Sequence, residues 1–395
     1  MRFGFSSEAD TRPGTTHAHR YFELVEEVLL AEKVGFDMFG TSEQHFAIGE
    51  ATVSCPEVLY PYLMPLTSRI KFAHKVALLP TRINHALRVA ERAATGDILS
   101  NGRVELGVGR GNTTLALRAF EVSVDNNRGE FEEGIDLIRA AFLNDPFSFV
   151  GEHYKVPPRS LVPKPIQQPH PPMFAAATGP DSHRMAAEKG IGVVSFSSFL
   201  GFDYLGKSLA LYDEAFDGTD HTLPVRRSKG ALIFAMHCAE TTAEAREEIK
   251  PLVEVAKLAT GAYERLSKLS KDYAYMGAIT DVADKLDDLD YMLNESASYM
   301  AGDPDELVKQ LKRYEALGVE DVWMRIDSMP HEKLMRSIEL FGKYVIPHFK
   351  TPSAVVRSSD AVLEDIRAMR PAHEEAVRRW TEEREQEREL AGRPA

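Results

Sequence analysis

Short apolar runs rich in β-branched and aromatic residues alternate along the chain with longer stretches whose apolar residues recur at helical spacing. Arg2–Ser6, Phe36–Thr41, Arg69–Leu78, Arg103–Val108, Pro172–Ala177, Gly192–Phe196, Ala231–Cys238 and Asp321–Ile326 read as strands. Between and after them, Phe22–Val34, Ala86–Leu99, Glu130–Leu143, Asp181–Lys189, Ala243–Leu258, Asp305–Leu317 and His331–Tyr344 read as helices. Gly35 stands where the first of these must stop. Strands that alternate with helices predict a parallel sheet with helices packed outside it. About eight such units predict closure, so the expected class is α/β, a (β/α)8 TIM barrel. No Gly-x-Gly-x-x-Gly follows the first strand, which argues against an open dinucleotide-binding sheet.

Three segments exceed a minimal barrel. Val150–Pro172 is proline-rich with short β character. Ala259–Ala301 is tyrosine-bearing and reads as an insertion between the last two units, over the active-site face. Residues 351–395 are rich in Glu and Arg and read as a charged helical C-terminal extension to a barrel spanning 1–350.

Composition narrows the function. With 395 residues, 44% of them apolar, the chain can bury a large core without staples. A net charge of −13 argues against a nucleic-acid or membrane-surface binder. Cys55 and Cys238 lack metal-ligand spacing and read as two buried thiols, and no metal site is expected. No apolar segment follows the N-terminus and no run approaches the roughly 18 apolar residues of a membrane span, so the expected address is cytoplasmic.

In a barrel of this kind the chemistry sits at the C-terminal ends of the strands. The second strand runs into Glu43-Gln44-His45-Phe46, a carboxylate, an amide and an imidazole that together can hold or move a proton. The same residues also suit an exposed turn. After the fourth strand, Gly109-Arg110-Gly111 permits close backbone approach beside a cation able to pair with phosphate, and also reads as a plain glycine turn. After the fifth, Thr178-Gly179-Pro180-Asp181-Ser182 opens a helix whose free N–H groups attract anions, with Asp181 also suited to a simple cap. Two candidate phosphate sites on neighbouring strands point to a phosphorylated cofactor.

The order and spacing of these motifs resemble the bacterial luciferase-like flavin monooxygenases from Arg2 to about Lys350. The resemblance is carried by Gly35-Phe36-Asp37, Glu43-Gln44-His45-Phe46, Leu79-Pro80-Thr81, Asn101-Gly102-Arg103 through Gly111, Asn126-Asn127-Arg128, Pro163-Lys164-Pro165 to Met173, and Gly318-Val319. It implies reduced FMN bound at the strand ends and delivered by a separate flavin reductase, with O2 and a small organic substrate (an aldehyde, ketone or aromatic metabolite). It assigns Glu43, Gln44 and His45 to catalysis. Arg110 and Arg128 match arginines near the flavin and its phosphate, and Thr178, Gly179 and Ser182 match the phosphate turn. Val76 and Ala77 match a strand end under the flavin ring, where a non-proline cis peptide is common. The family pattern Glu-His-His-Phe has lost its first His to Gln44, which cannot exchange a proton near neutral pH, so light emission is not expected. The insertion corresponds to the variable active-site loop, with Tyr263, Tyr273 and Tyr275 either lining a pocket or packing the loop down, and Phe196 and Phe199 as further walls. Alternatives that keep the same barrel are a deazaflavin-dependent hydride-transfer enzyme and an inert flavin-binding protein. A homodimer is expected.

Overall fold

The computed structural model describes residues 1–350 apart from Pro13, Ile48, Glu50, Asn126 and Ser198, and isolated positions between 371 and 382. The expected helical extension over 351–395 therefore lies outside the described residues. Eight strands form the closed barrel: β1 (Arg2–Ser6), β2 (Met38–Thr41), β3 (Lys71–Leu78), β4 (Val104–Gly109), β5 (Met173–Ala177), β6 (Gly192–Ser195), β7 (Lys229–Ile233) and β8 (Asp321–Arg325). Every pair is parallel, neighbours in sequence are neighbours in space, and β1 closes on β8 from Arg2↔Asp321 to Ser6↔Arg325. This is the TIM barrel expected from the alternation.

The helices start and stop where the chain supplies the chemistry. Thr16 accepts a hydrogen bond from the His19 N–H at the start of His17–Val34, and Gly35 ends that helix in the left-handed conformation at φ 110°. Asp303 caps Pro304–Ala316 in the same way, with proline in the first helical position. The barrel interior is filled by Met38, Ala73, Phe174, Val194 and Trp323. Trp323 fits because Gly4 faces it: a Cβ on Gly4 would lie 2.3 Å from the indole.

The structure departs from the expected pattern in several places. The run Ala231–Cys238 is two strands, because at Phe234 the chain leaves the barrel. The Phe234 N–H donates to the Ser298 carbonyl at 2.7 Å, and Ala235–Cys238 then pairs in parallel with Tyr299–Gly302 outside the barrel. The helix expected to end at Leu258 continues to Ser267, so the insertion begins as the end of a long helix, runs through a 3-10 stretch at Lys271–Lys285 and returns as a strand. An outer helix at Phe202–Asp217 completes the sixth unit, and Phe147–Val150 pairs antiparallel with Lys155–Arg159. Finally, only Cys238 is buried. Cys55 is exposed just ahead of the helix Pro56–Leu63.

Candidate active site

Side chains on a strand alternate between faces, so residues two steps past the Trp323 layer also point inward. On β8 that residue is Arg325, and on β3, two steps past Ala73, it is Lys75. Both line a cavity of about 230 Å³ at the C-terminal ends of the strands. Its walls are largely aromatic, with Phe131, Phe174, Phe196, Phe234, Tyr263 and Tyr275. A second cavity of about 260 Å³ shares Arg110, Phe131, Ser182 and Tyr275 with the first, and carries Arg128, Gly179 and Asp181. The two form one path from an aromatic chamber to a polar, helix-terminated end.

The cluster after β2 divides its roles. Gln44 lines the chamber, and its side chain has no hydrogen-bond partner among the described residues. Glu43 faces the protein as well as the cavity: its carboxylate accepts from the Leu78 N–H at 2.9 Å and from Asn84 Nδ2 at 2.9 and 3.0 Å. It therefore fastens the end of β3. His45 turns away from the chamber lining, placing Nε2 3.0 Å from Glu43 Oε1 and its ring 4.9 Å edge-on to Phe120. The three residues are brought together, but Gln44 is the one presented to the chamber with a free polar head.

Val76 lines the chamber directly, joined to Lys75 by a cis peptide bond, while Ala77 is buried beside it. Gly109 gives Val76 its room, since a Cβ there would fall 2.5 Å from Val76 Cγ2.

At the polar end, the helix Pro180–Glu188 points its N-terminus into the second cavity, and Gly179 caps it without a side-chain hydrogen bond. Thr178 and Ser182 line the chamber on either side of that turn. Arg110 places its guanidinium 3.9 Å from the Tyr273 ring centroid and donates to the Asp272 carbonyl, while its Nη1 is buried without a hydrogen bond, 3.8 Å from Asp272 Oδ2. Arg128 is half-exposed and bridges Glu132 at 3.0 Å and Asp181 at 3.3 Å. An unsatisfied guanidinium nitrogen and an uncapped helix N-terminus are the donors a phosphate group requires.

Several residues that the sequence did not single out hold this turn in place. His183 is fully buried, with Nδ1 2.9 Å from the Gly179 carbonyl and Nε2 2.8 Å from Ser195 Oγ. Burial pushes its imidazole down to about pH 4, so it is neutral, with Nδ1–H donating to Gly179 and Nε2 accepting from Ser195. Tyr204 donates to the Thr178 carbonyl at 2.6 Å. Tyr273 donates to the Gly111 carbonyl at 2.8 Å and accepts from Asn127 at 2.7 Å, so the insertion buttresses the loop after β4. Tyr263, Tyr273 and Tyr275 of the insertion line the chamber, and Phe196 does as well, whereas Phe199 is buried against Phe196. A helical histidine facing a strand serine is not legible without the fold, and neither is the inward lysine of β3.

Comparison with known proteins agrees with this geometry. The family model described as luciferase-like monooxygenase matches residues 1–321. An uncharacterized protein, y4wF of Sinorhizobium fredii, is 29% identical over 49% of this chain, a match that spans 55% of that protein. The oxygenase component of a flavin-dependent trigonelline monooxygenase from Acinetobacter baylyi is 24% identical over 85% of this chain and 91% of its own. Among solved structures, the coenzyme F420 dependent tetrahydromethanopterin reductase of Methanopyrus kandleri superposes with a TM-score of 0.68 at 20% identity, covering 88% of this chain and 99% of that one. The chain belongs to the luciferase-like monooxygenase family.

Proposed function

We propose that this protein is the oxygenase component of a two-component system that uses reduced FMN and O2 to oxidise a small organic substrate. The observation that carries the reading is the polar end of the cavity, where the buried Arg110 Nη1, which makes no hydrogen bond and lies 3.8 Å from Asp272, and the helix N-terminus at Gly179 face one space beside the chamber. Arg110, Arg128, Thr178, Gly179 and Ser182 would hold the phosphate, and the strand end at Val76 and Ala77 would lie against the ring. The similarity to the flavin-dependent oxygenase component supports the same assignment.

Reduced FMN, when bound, supplies the electrons that activate oxygen; the chain supplies the setting. Phe131, Phe174, Phe196, Phe234 and Tyr263 exclude water from the chamber. Gln44 offers both an amide N–H and a carbonyl to whatever occupies the chamber, fixing an oxygen atom without exchanging a proton. Proton exchange falls instead to the His45–Glu43 pair at the rim, or to solvent. A separate reductase is proposed because no dinucleotide fingerprint stands in the sequence. We further propose a homodimer.

A second reading is a deazaflavin-dependent hydride-transfer enzyme, favoured by the match to the F420 dependent reductase, whose barrel this chain shares. Anaerobic titration with reduced FMN, followed by rapid mixing with oxygenated buffer, separates the two. Tight binding and a transient absorbance that precedes oxidised flavin are expected. Failure to bind reduced FMN, with binding of the deazaflavin coenzyme, would transfer the assignment to the second reading.

A further inference from the structure

At the base of the chamber three charged side chains keep polar atoms that make no hydrogen bond among the described residues. Lys75 is 7% exposed; its carbonyl accepts from Ser42 Oγ at 2.7 Å, but its Nζ forms no hydrogen bond or ion pair among the described residues. Arg325 lines the chamber, is tied through Nε to Asp327 Oδ2 at 3.0 Å and lies 5.2 Å from the Phe234 ring centroid, and its two terminal nitrogens make no hydrogen bond among the described residues. Glu8 places Oε1 2.8 Å from Ser42 Oγ, while its Oε2 is buried with no partner. Asp10, also buried beside Arg325, accepts from the Ser328 N–H at 3.0 Å, and burial and the nearby Asp327 charge raise its carboxyl to about 6. Asp327 accepts from Ser7 Oγ at 2.6 Å, from the Glu8 N–H at 2.6 Å and from Arg20 at 3.4 Å. Arg20 in turn is locked to Glu27 by two bonds of 2.8 Å.

Buried ionic groups are normally paired or hydrogen-bonded, because an unpaired charge in a poorly solvated site is costly. Lys75, Arg325 and Glu8 all line one chamber without closing on one another, although Lys75 feels both Glu8 and Arg325 electrostatically. Burial, more than the nearby Arg325 charge, holds the Lys75 amine below the usual lysine range, which records how little water reaches it. Two cationic donors that converge on one space fit a group with two oxygen acceptors and a negative charge. The bare Glu8 Oε2 fits an O–H or N–H on the same guest.

We propose that Lys75 and Arg325 form an anion-binding subsite at the base of the chamber, for a planar carboxylate-like group. The inference rests on the flavin-oxygenase reading for its setting. Two sources can present that chemistry: an acidic substrate, or the anionic ring edge of the reduced flavin. Lys75 and Arg325 are binding residues in either case, with Glu8 positioning the guest between them.

The test uses the full-length protein and two matched probes, benzoate and its neutral isostere benzamide, titrated by calorimetry without flavin. Benzoate is expected to bind at least about tenfold more tightly than benzamide, the order expected for one charge-assisted hydrogen bond. Lys75→Met and Arg325→Gln should each bring the two probes close to parity, and Lys75→Arg should keep the preference. In a second arm, the affinity ratio of reduced to oxidised FMN is measured for the same proteins. Loss of that ratio with an intact benzoate preference identifies the flavin as the anion. A wild-type protein that prefers neither benzoate over benzamide nor reduced over oxidised FMN overturns the proposal, whether or not any variant folds. Because the probe arm contains no flavin, failure of the oxygenase reading does not alter its outcome.

Discussion

Replacing Arg110 with methionine removes a guanidinium but keeps most of its apolar stem. In the native protein that guanidinium has two jobs: it lies over Tyr273 at 3.9 Å from the ring centroid, and it presents a buried Nη1 that makes no hydrogen bond and has only Asp272 within ion-pair reach, at 3.8 Å. The first is a stability contribution of about 0.5–2 kcal/mol, depending on how dry the contact is. The second is a charge-assisted hydrogen bond waiting for an anion, worth roughly 1.5–3 kcal/mol once made. On the phosphate assignment, Arg110→Met weakens FMN binding by about ten- to a hundredfold. Riboflavin has the same ring and no phosphate, so its affinity should move only as far as loosening of Tyr273 carries to the chamber. Fluorescence titration of both flavins against both proteins gives the difference directly. Equal losses for FMN and riboflavin would refute the phosphate role and leave Arg110 as a clamp on the insertion alone.

Further outcomes follow from the same geometry. Glu43→Gln replaces an acceptor of bonds from Leu78 and Asn84 with an amide that repels one of them, at a cost of roughly 1–3 kcal/mol; the melting temperature should fall by a few degrees, and an unchanged melt would remove Glu43 from the β3 anchor. Gly179→Ala places a Cβ 2.6 Å from Tyr275 Cδ2, so Tyr275 must shift, and FMN affinity should drop while the fold persists by circular dichroism. His331 is buried, which opposes its charge, but hydrogen bonds to Glu26 and Glu27 outweigh burial and raise it from 6.5 to about 9. A folded pKa above the unfolded one adds stability that is complete below pH 6.5 and lost as pH rises through about 9. Thermal melts across that window should therefore decline for the wild type and stay flatter for His331→Gln, with parallel curves counting against the pairing. Cys55 is exposed, whereas burial pushes the Cys238 thiol up to about 12, so a thiol reagent should titrate one group in the native protein and two after unfolding.

The alternation of strand and helix was legible because the barrel strands are short, largely apolar runs and each helix carries an apolar stripe, two patterns that do not resemble one another. The helix read from Asp305 starts at Pro304 behind its Asp303 cap, but the helix end marked by Gly35 was equally plain. The break at Phe234 was not, because it is caused by pairing with residues some 65 positions later, Ser298 and Tyr299, and no local residue announces it. The long continuation of the helix to Ser267 was hidden because its end lies in the insertion, where tyrosines suit a loop as well as a helix. In the site, motif residues were found where type and position coincide, as with Arg110 and Gly179. Lys75 escaped because an inward lysine is visible only once strand phase and barrel closure are known, and Cys55 was misplaced because exposure depends on the packing of the short helix that follows it.

The insertion is moored at both ends to ordered scaffold, by the helix Thr242–Ser267 on one side and by the strand Tyr299–Gly302 on the other. That makes the stretch between them an exchangeable cassette. Chain can be lengthened, shortened or rewritten there without changing strand register in the barrel, provided Tyr273 or an equivalent still reaches Gly111 and Asn127. Replacing the span between two fixed posts would reshape the wall of the chamber while leaving the strand ends beneath it in place.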